Sequence, residues 1–228
     1  MQMAKKAVKK EKKEVSWYDQ LKGYDKQLFY ILIIMTVVVV AFMLVYYYFI
    51  KAPTTFEYNG LKFYIENWDS FKVYKYSYYF RGKDSWKLFD LRLRIDQREN
   101  NVSVSGDKIL FPRGKFIYLS VNETGLNKCG AIAPASIGSL TTFIVNNDLT
   151  LKSASPDINI SEEKGIKFAN CTNYPDNAVI LVQESNRTEI VSDELCYKIY
   201  VYNCEILPAF ERFMLQTIIE SNPQKITN

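Results

Sequence analysis

The stretch "LFYILIIMTVVVVAFMLVYYYFI", residues 28–50, holds no charged side chain, and its reading decides what kind of chain this is. As a helix it would be about 35 Å long and would cross a hydrocarbon core of roughly 30 Å with some tilt. The block from Ile33 to Val40 is rich in β-branched residues. Inside lipid, however, each backbone N–H and C=O must be satisfied within the segment, so a lone span has to be helical. A cleavable secretory signal has a shorter apolar core followed by small residues. Here the core runs out through Tyr46, Tyr47, Tyr48, Phe49 and Ile50, which predicts an uncleaved transmembrane anchor.

The charges sort around that anchor. Residues 1–27 carry eight lysines against four acidic residues, so of the chain's 29 basic and 25 acidic groups, 29 − 8 = 21 and 25 − 4 = 21 remain for residues 51–228. The large domain is formally neutral, without the basic field of a nucleic-acid-binding domain, and nucleic acid is set aside as a partner. Lysines crowd the near side of the span and only Lys51 follows it directly. The positive-inside bias therefore predicts a cytoplasmic N-terminus at the plasma membrane, with the rest of the chain outside. Trp17 on one flank and Tyr46, Tyr47 and Tyr48 on the other occupy the places of interfacial aromatic belts. The run from Lys5 to Lys13 is read as a topology signal, with anionic lipid or a cytosolic partner as the sharper alternative.

Two further features agree with an outside location. The sequons at Asn101, Asn122, Asn159, Asn170 and Asn186 all follow the span, as glycosylation acceptors should. The four cysteines, Cys129, Cys171, Cys196 and Cys204, also follow it, an even number suited to disulfides in an oxidising space. If "CYKIYVYNC" is a continuous strand its two cysteines lie about 26 Å apart, too far for a bond that needs Cα atoms within roughly 7 Å. A bridge between Cys196 and Cys204 is thus disfavoured, and each should pair with Cys129 or Cys171. A four-thiolate zinc site lacks any C-x-x-C unit, so no metal is expected.

The expected fold is α+β: the transmembrane helix, then a mixed α/β ectodomain that includes an aromatic-rich antiparallel β module. Four segments follow from this: a basic tail (1–27), the helix (28–50), the β module (51–113) and an α/β module with the disulfides (114–228). In the β module, Asn59-Gly60 between apolar runs marks a hairpin, and "FKVYKYSYYF" and "WKLFDLRLRID" read as further strands. Alternation puts Tyr74, Tyr76 and Tyr78 on one face, and a Tyr stripe left exposed would mark an interface. It also puts Arg92 and Arg94 together with Asp96, opposite Leu91, Leu93 and Ile95. Such a pair of arginines either grips a carboxylate or phosphate or forms a solvated face paired with neighbouring acids, and the second is favoured. Further on, "KFIYLSVN", "GIKFANC", "AVILVQ" and "ELCYKIYVY" read as strands. "APASIGSLTTFIVNN" and "PAFERFMLQTII" read as helices with a proline near the start.

Taken in order after an N-terminal span, "FEYNGLKF", "GKFIYLSVNETGLNKC", "ANCTNYPDNAVILVQ" and "LCYKIYVYNCEIL" resemble an uncharacterised family of single-pass membrane proteins of small-genome archaea of the DPANN type. The resemblance implies an archaeal surface protein whose four cysteines belong to one domain. It brings no catalytic residue with it.

The chain contains no histidine, which removes Ser-His-Asp, Cys-His and histidine-zinc chemistry. Phosphate-loop spacing is missing too. Glu162 and Glu163 in "SPDINISEEKG", with Asp157 nearby, are the remaining acid and base candidates, but adjacent acids in a polar loop are usually solvated. The expectation is a cofactor-free structural or interaction protein that is not an enzyme, held by lipid and meeting a protein partner at the cell surface. An accessory subunit of a membrane complex, with Thr36 and Tyr46 to Tyr48 against protein, is the alternative. A histidine-free hydrolase, which would need a cleft lined by paired carboxylates, comes third.

Overall fold

The computed structural model describes residues 17–48, 54–82, 84–112 and 114–221, with side chains from residue 26 in the first stretch and residue 55 in the second. The chain divides into two compact units, Met1–Ala52 and Pro53–Asn228.

In the first unit, helix α1 runs Trp17–Tyr46, and its stretch Lys26–Tyr46 is long and apolar enough to cross a membrane. The helix thus starts before residue 28, and residues 49 and 50 lie outside the described set. Every described side chain on it is exposed, the large apolar ones from Ile33 at 44% to Phe42 at 73%. A stretch this long that is apolar on all sides has the length and composition of a membrane span. Its hydroxyl at Thr36 donates to the Leu32 carbonyl (2.8 Å), so this polar group is satisfied without a neighbouring helix. The basic tail, the Trp17 side chain and the linker 51–53 fall outside the described residues or side chains.

The second unit opens with an antiparallel meander, β1 (Thr54–Tyr58), β2 (Leu61–Trp68), β3 (Phe71–Arg81) and β4 (Trp86–Leu93), in that spatial order. Asn59 (φ 51°) and Gly60 (φ 77°) form the predicted tight turn, with Tyr58 opposite Leu61. One face of the meander carries Phe63, Leu91 and Leu93, all buried, with Tyr74, Tyr76 and Tyr78 packed beside them. The tyrosine stripe therefore faces the core and is not the free docking face that an exposed stripe would have been. Its rings stack on each other and on neighbours, for example Tyr76 on Tyr78 at 5.7 Å.

The other sheet has seven strands in the order β5-β10-β11-β9-β6-β7-β8. These are β5 (Ser103–Gly106), β6 (Phe116–Val121), β7 (Thr150–Ser155), β8 (Lys167–Phe168), β9 (Ala178–Glu184), β10 (Glu189–Asp193) and β11 (Cys196–Val201). Strand β9 is buried for five consecutive residues, as a strand covered on both faces should be. Helix α3 (Ile132–Asn146) connects the parallel pair β6 and β7, and α4 (Ile158–Lys164) connects β7 and β8. A short α2 (Glu123–Leu126) precedes α3, and α5 (Ile206–Ser221) closes the chain. Helices α3 and α5 join one hydrophobic core with both sheets.

Three expectations change here. The alternation of "WKLFDLRLRID" stops at Leu93: Ile95 is only half-buried and Asp96 is buried, holding Arg98 through its carboxylate at 2.9 Å. The acids near residue 160 are not in a loop, because Asp157 caps α4 by accepting the N–H groups of Asn159 (2.8 Å) and Ile160 (3.4 Å). The segment "GIKFANC" supplies only the two-residue β8.

The edge strand β5 depends on one glycine. Gly106 has φ +96°, and a Cβ there would stand 1.9 Å from the Ser192 carbonyl oxygen. Gly106→Ala is expected to lower stability by about 2 kcal/mol, read as a shift of the urea midpoint. An unchanged midpoint would mean that β5 is not docked against β10.

Candidate functional site

The disulfides join Cys129 to Cys204 and Cys171 to Cys196, each with Cα atoms 5.3 Å apart. Cys196 begins β11, whereas Cys204 lies past its end in a left-handed turn (φ 62°). No group of three or more potential metal ligands occurs among the described residues.

The outer face of the meander carries Arg92, and its charge is engaged. Asp90 sits 3.4 Å from Arg92 and 3.6 Å from Lys75, and Glu66 sits 3.8 Å from Arg92 and 3.3 Å from Lys75. The Ser77 hydroxyl donates to Asp90 (2.6 Å). That bond, more than the nearby cations, holds the Asp90 carboxyl below the usual carboxylate range against the cost of burial. Arg94 lies beyond the strand, its guanidinium 5.9 Å from the Phe71 ring centre. The two arginines form no joint anion grip, and Arg92 belongs to a solvated, acid-paired face.

A cleft of about 720 Å³ lies between the far end of β3, the C-terminal ends of α3 and α5, and residues 109–111 and 114–116. That size falls within the usual range for small-ligand sites. Its floor is apolar and closed: Ile109, Phe143 and Ile218 are at most 4% exposed. The wall at Ile109 to Phe111 is fixed by Tyr197, whose hydroxyl donates to the Leu110 carbonyl (2.5 Å) and accepts from the Leu110 N–H (3.1 Å). Burial pushes the Tyr197 hydroxyl up to about 12. The Glu220 carboxylate accepts the Ile109 N–H, and Phe111 packs edge-on against Tyr197 at 5.5 Å.

Within the cleft the Tyr78 hydroxyl donates to the Asn147 side-chain oxygen (2.7 Å), and the Asn147 amide donates back to the Phe143 carbonyl (2.8 Å). Burial raises the Tyr78 pKa well above the ordinary tyrosine value, so the group is a fixed neutral donor and not a base. At the rim, Lys87 pairs with Asp148 (2.7 Å). Gly82 leaves room for this pair, since a Cβ there would meet the Asp148 carboxylate at 2.4 Å and displace it. The rim is unusually apolar for exposed surface: Tyr79 is 70% exposed, Trp86 69%, Leu110 46% and Phe116 39%. Exposed apolar groups collected at one place mark a contact surface.

The predicted site residues distribute unevenly over this arrangement. Tyr76 and Tyr78 line the cleft, whereas Tyr74, Arg92 and Arg94 do not. Glu162 and Glu163 are exposed on α4, and Asp148 is the single carboxylate residue among the described lining residues. Asn101, Asn159 and Asn186 are exposed, while Asn122 and Asn170 are half-buried. The Asn170 side-chain oxygen already accepts from the N–H groups of Thr172 (2.9 Å) and Asn173 (3.1 Å). The stretch "KILFPRG", which lacks phosphate-loop spacing, contributes to the cleft through Ile109, Leu110 and Phe111. Its signal was three apolar residues inside a polar, Gly- and Pro-bounded stretch, which is costly unless they are packed against something.

No family model matches the chain, and no curated protein or solved structure is significantly similar to it.

Proposed function

We propose that this chain is a membrane-anchored binding protein of the cell surface, in keeping with the archaeal family it resembles. The apolar helix holds it in lipid, the lysine-rich tail lies in the cytoplasm, and the outer domain works in an oxidising space where its two disulfides persist. The observation that carries the binding role is the preformed aromatic cleft with its exposed apolar rim. Its walls are held by hydrogen bonds that need no ligand, which limits the entropy lost on binding. A binding role is favoured over hydrolysis because the cleft offers a neutral phenol and a single ion-paired carboxylate residue where acid–base cleavage needs a matched pair.

A photoreactive amino acid at position 86, in full-length protein in intact cells, tests this. Irradiation is expected to produce a discrete adduct at position 86 and none at position 159, exposed on α4 away from the cleft. Equal labelling at both positions, or none at either, would remove the binding role. Protease added to the same cells should cut the outer domain; if it stays intact, the orientation is reversed.

A further inference from the structure

We infer that the cleft takes an anionic amphiphile: a single apolar tail lying between the aromatic walls, with one carboxylate or phosphate held at the mouth by Arg81 and Lys115. This rests on the proposed binding role and names the chemistry of what is bound. Arg81 and Lys115 come from different segments, the end of β3 and the loop before β6, and both line the cleft. Both are exposed, and neither forms an ion pair or side-chain hydrogen bond among the described residues. Arg81 and Lys115 share this with several other exposed cations of the domain, Lys62, Lys72, Lys108 and Lys167 among them; what sets the two apart is that both stand on the lining of one apolar cleft. Asp148, the acid on the lining, is answered by Lys87.

Among the described lining residues, two cations without a carboxylate partner thus stand over an apolar floor. An uncharged tail would be content with the floor alone, and a hydrophilic anion with the cations alone; the combination selects a molecule that has both parts. Burial of the tail supplies the affinity, and the charge-assisted hydrogen bonds fix the head at the mouth. The closed floor at Ile109, Phe143 and Ile218 suits one end of a chain and not a through-running polymer.

A free amphiphile from the aqueous side and a lipid of the bilayer share the same chemistry and differ in route.

The test uses full-length protein in phosphatidylcholine nanodiscs with Trp17 and Trp68 replaced by Phe, so that Trp86 on the cleft rim is the one fluorophore. The probe is 9,10-dibromostearate, whose bromines quench tryptophan on contact, with its uncharged methyl ester as the counterpart. Saturable quenching by the carboxylate is expected, about tenfold weaker for the ester and for the Arg81→Ser, Lys115→Ser variant. A companion protein retaining only Trp68 should show no saturable component. Equal saturable quenching by acid and ester would overturn the anion selection and leave the binding cleft standing. An absence of saturable quenching, together with no adduct at position 86, would overturn both readings. Saturation seen only after removal of residues 222–228 would mean that the chain's own tail is the occupant, and would overturn the inference. Nanodiscs containing a dibrominated anionic lipid, with no free acid added, separate the sources. Quenching there supports the bilayer route, and its absence beside quenching by free acid supports the aqueous one.

Discussion

Alanine at both Cys129 and Cys204 is expected to lower the unfolding free energy by about 4.5 kcal/mol. The bond closes a loop with a sequence separation of 75, against 25 for Cys171–Cys196. Chain-entropy reasoning gives about 3.5 kcal/mol for the shorter loop, because the term grows only with the logarithm of length. Residues 171 and 196 lie inside the span from 129 to 204, so the two losses should not add: once the outer bond shortens the unfolded chain, the inner bond has less freedom left to remove. Urea unfolding of the full-length protein in detergent, followed by tryptophan fluorescence, measures both pairs and the quadruple variant. A midpoint change worth less than about 1 kcal/mol for the outer pair would show that this bond constrains little in the unfolded chain.

The second large effect is at Glu211, whose side chain lies inside the protein at 2% exposure. Its carboxylate accepts the N–H groups of Arg94 (2.6 Å) and Ile95 (3.0 Å) and the Gln97 side-chain amide (3.3 Å). These are the donors freed where β4 stops, so one acid on α5 terminates the strand and ties it to the helix. Glu211→Ala removes the acceptor of two part-buried backbone N–H groups and of the buried Gln97 amide and should cost about 3 kcal/mol. Burial raises the Glu211 pKa from 4.5 to about 7, against the opposing pull of the two backbone N–H bonds. With the folded value above the unfolded one, the folded chain binds the extra proton between these limits. Its contribution is complete below about pH 4.5 and is lost as pH rises through about 7, by up to about 3 kcal/mol. Unfolding at pH 5 and pH 8 should show the fall, and Glu211→Gln should flatten it. A wild-type profile as flat as that of the variant would mean that Glu211 is ionised throughout.

These two sites also show what the sequence could reveal. The Asn59-Gly60 turn, the buried run of β9, the helix at "APASIGSLTTFIVNN" and the pairing rule for Cys196 were legible because each depends on local period, length or reach. The strand ending at Leu93 was not, because the residue that ends it lies more than a hundred positions away on α5. Strands β5 and β10 were missed for a related reason: "SVSG" and "EIVSD" are short and weakly apolar, and they become strands by pairing with each other and with β11. The tyrosine stripe was placed on the correct strand with the correct parity. Parity alone does not say which face meets the core, and that was decided by α3 and α5. The cleft was invisible because its walls come from four separate parts of the chain.

The order of the elements has a consequence for how the protein is made. The meander of residues 54–93 consists of hairpin contacts between neighbouring strands and can form as soon as it leaves the ribosome. Helix α5, which helps to seal its aromatic face, follows every described strand and is synthesised about ten seconds or more later at ordinary elongation rates. Through that interval Phe63, Tyr74, Tyr76 and Tyr78 are an unsealed apolar face of the sheet. A nascent chain truncated before Ile206 should therefore be a chaperone client or an aggregate, although every strand of both sheets is already present in it.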